Sequence, residues 1–148
     1  TAANTAFRNG SGELVFASPH KGRFAAEKWL QANGEEIPFK QAAARAGWTC
    51  EARSCRSEIK GKMIGYFLDE EGVQPACTGL DIIIAAYPLR GACRSVPTRI
   101  DRFDVWRMGS HAIVIKGGTT AVTTARGLSG NRPWVVVPEP RKKLALTR

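Results

Sequence analysis

Histidine is almost missing from this 148-residue chain: His20 and His111 are the only two, and they form no H-x-H or H-x-x-x-H pair. A catalytic zinc draws about three protein ligands, commonly histidines held close together. Metal hydrolysis therefore has no visible ligand set, and no cofactor, metal or catalytic residue is expected. His20 reads as an exposed loop residue in "SPHKG", and His111 as a strand-edge residue. Nucleophile and phosphate motifs are wanting too. "RGLSGNRPW" sets Ser129 near glycines without the G-x-S-x-G spacing of a nucleophile elbow. "KGKMIG" lacks the leading glycine of a phosphate loop. Long hydrophobic runs are absent as well: the longest, "LDIIIAAY", contains Asp81 and falls far short of the roughly 18–20 residues of a membrane helix. No internal repeat is visible. Thr1 stands where Met would, with no signal-peptide pattern after it, so a mature or excised segment of a longer protein is expected.

What is present suits one folded domain. The chain is 43% hydrophobic with four Trp, enough to bury a core. Its formal charge of +9 favours an acidic partner such as nucleic acid or anionic headgroups, against the plainer alternative of a basic, soluble surface. Residues 1–11, "TAANTAFRNGS", are small and polar and read as a linker or frayed end. Residues 12–136 form the domain, and 137–148 a basic, Pro-interrupted tail carrying Arg141, Lys142 and Lys143.

Periodicity outlines the elements. "ELVFA" (13–17) is a short strand, and "GRFAAEKWLQANG" a helix with Ala25, Ala26, Trp29 and Leu30 on one stripe and Gly34 as its stop. "GWTCEARSC" alternates Trp48, Cys50 and Ala52 against Thr49, Glu51 and Arg53, a strand pattern. "SCRSEI", a turn at "KGK" and "MIGYFLD" make a hairpin, with the acidic "DEEG" (69–72) a solvated turn. Leu80–Tyr87 is apolar on both faces after Asp81, as in a covered sheet. "IDRFDVWRMG" spaces Ile100, Phe103 and Trp106 by three, with Asp101 as cap and Gly109 as stop, a short helix whose Trp106, like Trp134 further on, is expected in the core. "HAIVIK" and "TTAVTTA" flank Gly117-Gly118 as a second hairpin. Strands joined by single helices indicate an α/β domain.

Two residue groups stand out. The four cysteines permit two disulfides, a thiolate metal site or free buried thiols, although no C-x₂-C pair is present. Nearest-neighbour pairing predicts Cys50–Cys55 and Cys77–Cys93, each across a turn or strand connection. Disulfides would imply an oxidising compartment. Arg90, Arg94, Arg99, Arg102 and Arg107 crowd the stretch after the buried strand, where strand and helix ends can aim several at one DNA backbone. The alternative is solvation, or pairing with Asp101 or Asp104. Trp106 and Trp134 could add base stacking if exposed.

Several stretches taken in order resemble one family. "RFAAEKWLQANGEE", "WTCEARSC", the Cys77–Ile84 segment "CTGLDIII", "PLRGAC", "RIDRFDVWRMGSHA" and "GNRPW" are similar to the C-terminal region of alphaproteobacterial ComEC-type DNA-internalisation (competence) proteins, over roughly residues 12 to 134. The resemblance implies a reduced metallo-β-lactamase-like sandwich of mixed sheet and helices. It implies a parent inner-membrane channel that admits single-stranded DNA during natural transformation, with this domain on the periplasmic side. The partners would be DNA, bound weakly and without sequence preference, and the membrane-embedded portion of the same protein. The family's H-x-H-x-D-H hydrolase motif is missing, and "PLRGAC" follows the strand where related domains carry a histidine-rich loop. A non-catalytic role, guiding DNA or supporting the channel, is therefore expected. A residual metal-dependent nuclease using Asp81, His111 and acidic residues elsewhere is one rival, and a secreted, disulfide-stapled binding module unrelated to DNA another.

Non-reducing peptide mapping should recover Cys50–Cys55 and Cys77–Cys93. The second bond closes the longer loop and should contribute about 2–4 kcal/mol. Four free thiols, or a Cys50–Cys93 link, would refute the pairing.

Overall fold

The computed structural model describes residues 4–51, 53–68 and 77–129. Its first element lies inside the expected linker. Strand β1 (Ala6–Arg8) pairs antiparallel with β2 (Leu14–Phe16), placing Phe7 opposite Val15. The reversal is built by Asn9, whose Oδ1 accepts from the amides of Ser11 (3.0 Å) and Glu13 (2.9 Å). This is the local side-chain turn that asparagine favours. "AFR-NGSG-ELVF" carried that signal, but the small, polar flanks masked it.

Helix α1 (Arg23–Ala32) buries Ala26 and Leu30, with Trp29 half-buried and stacked parallel to Phe16 at 6.3 Å. Helix α2 (Phe39–Ala42) starts after Pro38 and buries Phe39 and Ala42 in the same cluster. A polar clamp ties this unit together. Arg45 meets Glu35 at 2.6 Å and Glu13 at 3.3 Å, and donates to the Leu14 carbonyl at 2.9 Å. Glu35 also accepts from the Leu14 amide (3.1 Å) and from Asn33 Nδ2 (3.0 Å).

The main sheet has the order β3-β4-β5-β6-β7. Its members are β3 (Thr49–Cys50), β4 (Ser54–Ile59), β5 (Lys62–Phe67), β6 (Ile82–Ala85) and β7 (Thr98–Ile100). The first three run antiparallel, whereas β5, β6 and β7 are mutually parallel. The alternation read across 48–53 is not one strand. The chain reverses after Cys50, so that Cys50 and Cys55 sit directly opposite at a Cα separation of 4.0 Å and are disulfide-bonded. A strand pair that close brings two cysteine side chains within bonding reach. The "DEEG" turn lies outside the described residues.

After β7 come α3 (Arg102–Met108), the separate hairpin of β8 (His111–Lys116) and β9 (Thr119–Thr124), and α4 (Ala125–Ser129). The β8–β9 turn has φ of 59° at Gly117 and 78° at Gly118, the doubly left-handed geometry that suits the twist of a two-residue hairpin. The described residues are thus mixed α/β, with a five-stranded mixed sheet and few, short helices.

The core forms on both faces of the sheet. On one face Phe67, Ile83 and Ala85 meet Leu80, Tyr87, Leu89 and Val96, so connecting loops cover the strands. On the other, Ile64 and Ile82 meet Ile115, and Tyr66 and Cys55 meet Ala17, with Trp48 bridging the two groups. Burial pushes the Tyr66 phenol up to about 12, so it stays protonated. Gly65 makes room for the loop cover: a Cβ there would lie 2.8 Å from Leu80 Cδ1. Ile82 and Ile83 are fully buried, each contributing about 1.5–3 kcal/mol. No helix among the described residues is long and apolar enough to cross a membrane.

Burial works to raise the pKa of Glu35, but Arg45, the Leu14 amide and Asn33 outweigh it and hold the carboxyl below its ordinary 4.5. A lowered folded value stabilises the fold fully above the ordinary pKa and is lost as pH falls through the folded one. Acid unfolding followed by circular dichroism should therefore show a carboxylate-linked limb below pH 4.5 that Glu35→Gln weakens. Arg45→Ala should cost about 1–3 kcal/mol at neutral pH. An Arg45→Ala variant as stable as wild type would show that the clamp contributes nothing.

Candidate nucleic-acid interface

Parallel strands end together, and in open α/β sheets ligands gather beyond their carboxyl ends. Here that edge holds the residues that follow β6 and β7. Residues 86–97 cross from β6 to β7 without a helix, and four contacts shape them. The Leu89 amide donates to Asp101 Oδ2 at 3.0 Å. Arg99 Nη2 donates to the carbonyls of Arg90 (2.9 Å) and Ala92 (2.7 Å). Cys93 is disulfide-bonded to Cys77, with Cα atoms 5.5 Å apart. Leu89 and Val96 anchor the loop in the core. These contacts hold Arg90 and Cys93 at φ of 53° and 58°, left-handed backbone that costs a non-glycine residue roughly 1–3 kcal/mol.

Asp101 is the hinge of the site. Its Oδ1 caps α3 by accepting from the amides of Phe103 (3.0 Å) and Asp104 (3.2 Å), while Asp104 Oδ2 accepts from the Asp101 amide at 2.9 Å. The box satisfies amides that a helix start leaves unpaired. With Oδ2 on Leu89, one carboxylate joins the arginine loop to the helix.

The expected arginines divide into three kinds. Arg90, Arg94 and Arg102 are exposed and, among the described residues, have no ion-pair partner. The guanidinium of Arg94 lies over Gly91, where a Cβ would come within 3.1 Å of its Nη2. Arg107 is exposed but pairs with Asp104 at 3.1 Å. Arg99, expected among the DNA contacts, instead turns inward: its Nη2 serves the loop carbonyls and its Nε is buried without a partner. A guanidinium has five donors, and bare loop carbonyls captured it before solvent could. No spacing in the sequence separates that arginine from its neighbours.

A second difference concerns α3. None of its residues is buried; Phe103 is 49% and Trp106 48% exposed. The helix forms as the spacing indicates, but of the three spaced residues only Ile100, at the end of β7, is buried; Phe103 and Trp106 face solvent. Trp134 and the basic tail Arg141, Lys142 and Lys143 lie outside the described residues.

The residues proposed for a residual nuclease are otherwise engaged. Asp81 Oδ2 accepts from the Met63 amide at 2.8 Å and so fixes the β5–β6 register. His111 Nδ1 lies 2.9 Å from the Gly109 carbonyl oxygen. His20 is exposed in its loop. Among the described residues no group of three or more His, Cys, Asp or Glu is arranged to hold a metal ion. A cavity of about 570 Å³ lies between α1 and α2, lined by Glu27, Leu30, Glu35 and Phe39. Of the carboxylates that line it, Glu27 pairs with Arg23 and Glu35 with Arg45, whereas Glu36 is exposed.

No family model, curated protein or solved structure matches this chain.

Asp101→Ala removes the acceptor of three amides and should destabilise the protein by about 1–3 kcal/mol. Hydrogen exchange should accelerate at Leu89, Phe103 and Asp104 together. Asp101→Asn keeps one acceptor oxygen and should protect the helix cap better than the Leu89 amide. Undisturbed exchange at Leu89 in the alanine variant would show that Asp101 does not hold the loop.

Proposed function

We propose that this chain is a non-catalytic, C-terminal domain of a ComEC-type inner-membrane DNA-uptake channel. It is a reduced metallo-β-lactamase-like sandwich on the periplasmic side that guides DNA or supports the channel. The observation that carries this reading is the trio Arg90, Arg94 and Arg102, each exposed, two on the loop and one on the helix that Asp101 joins, and free of carboxylate partners among the described residues. Guanidinium groups so presented suit phosphate oxygens and need no base readout. The order of the motifs, the overall +9 charge and the two disulfides support the same reading. Disulfides persist in oxidising compartments, which accords with a periplasmic site. Hydrophobic spans encoded upstream of Thr1 would separate this function from that of a secreted module unrelated to DNA.

Fluorescence anisotropy with a labelled oligonucleotide tests the proposal. Affinity should fall steeply with salt, with a log–log slope of about −0.7 for each phosphate neutralised on a single strand. Changing Arg90, Arg94 and Arg102 together to Ala should flatten the slope by roughly 2, if all three reach phosphates, without loss of fold. Arg99 is left intact because it holds the loop. Absence of binding at about 50 mM salt, or binding indifferent to salt and to the triple change, would refute the DNA-guiding role. Cleavage of the oligonucleotide on adding a divalent metal would favour a nuclease instead.

A further inference from the structure

We infer that the solvent face of α3 is a stacking platform for the bases of single-stranded nucleic acid, with Phe103 and Trp106 as its two rings. At about 100° per residue, Arg102, Trp106, Phe103 and Arg107 fall in that angular order within roughly 140° of the helix circumference. All four are exposed; on the opposite side Asp104 and Val105 are half-buried, and Met108, at the end of the helix, is less exposed than either ring. The arrangement reverses the usual amphipathic helix, whose aromatic face is turned to the core.

The flanking charges select the occupant. An apolar protein surface would have to cover Arg102 and the Arg107–Asp104 pair along with the rings, desolvating a cation and an ion pair. A single strand offers both complements at once: a phosphate for Arg102, whose guanidinium has no carboxylate partner among the described residues, with Arg107 held at the rim by Asp104, and unpaired bases with flat π-faces for the rings. Duplex DNA presents only the phosphates, because its bases are already stacked. The loop bearing Arg90 and Arg94 is tied by Asp101 to the first turn of α3, so further exposed guanidinium groups belong to the same hydrogen-bonded segment as this face. The inference rests on the DNA-binding reading and adds to it a preference for unpaired bases.

The test compares the full 148-residue chain on a dT oligomer and on an abasic oligomer of equal length, which carries the same phosphates but no bases. The dT oligomer should bind at least about 5-fold more tightly, the low end for one stacked base. Trp fluorescence should be quenched by dT and not by the abasic strand, and Trp106→Phe should remove that quenching. Phe103→Ala with Trp106→Ala should bring the two affinities together while leaving the salt slope near that of wild type. Equal binding of the dT and abasic oligomers, with steep salt dependence retained, overturns the stacking platform and leaves the charge-based reading standing. Loss of binding to both at about 50 mM salt defeats the two together. Self-association that protects Trp106 from a soluble quencher would also overturn the inference, because the face would then belong to a second copy. The comparison of oligomers on the unaltered protein needs no substitution, so it decides the matter even if the double variant fails to fold.

Discussion

Strand β6 is held parallel to both of its neighbours, and much of the structure follows from that constraint. A strand paired on both sides and covered on both faces must be apolar throughout, as Ile82, Ile83 and Ile84 are. Parallel neighbours cannot be joined by a tight turn, so each connection has to travel the length of the sheet. The β6–β7 connection makes that journey as a loop, and its own side chains, Tyr87, Leu89 and Val96, become the cover of one sheet face. The same residues that seal the core therefore deliver Arg90 and Arg94 to the edge.

A loop carrying that duty needs fastening, because an irregular segment leaves amides and carbonyls without regular partners. Three different chemistries supply it: the Cys77–Cys93 bond, the Asp101 carboxylate on the Leu89 amide, and the Arg99 guanidinium on the carbonyls of Arg90 and Ala92. Two of these come from residues at the end of β7, so forming the β6–β7 pair and ordering the loop are coupled events. The positive φ angles at Arg90 and Cys93 are sustained by that redundancy. The exposed arginines are thus displayed from a stiffened base, which lowers the entropy lost when a ligand orders them.

The N-terminal unit is organised differently. Its apolar contacts, among them Phe16 with Trp29 and Phe39, are completed by the Arg45–Glu35–Glu13 cluster that binds the first hairpin to the end of α1. Ala17 joins this unit to the main sheet through Cys55 and Tyr66, and Trp48 Nε1 donates to the Val15 carbonyl at 3.1 Å. The two parts share a core boundary without sharing a sheet.

Local order was legible in the sequence wherever its cause was local. The hairpins at "KGK" and Gly117-Gly118 and the Asp101 cap depend on a few adjacent residues, and so does α1. The Cys50–Cys55 and Cys77–Cys93 pairs are likewise the nearest in the chain. The first hairpin was hidden because its strands are only three residues each and polar at their flanks. The 48–53 alternation misled because period two describes a strand and its reversal equally well. Arg99 and the arginines around it are the same residue type in the same charged stretch, yet one is structural and others are displayed. Phe103 and Trp106 repeat at core spacing but face water. Residue type, period and turn chemistry were determined by the sequence itself, since each is set over a few bonds. Which guanidinium was captured and which face of α3 stayed open was decided only by the tertiary structure, because both depend on carbonyls and packing surfaces that distant strands bring together.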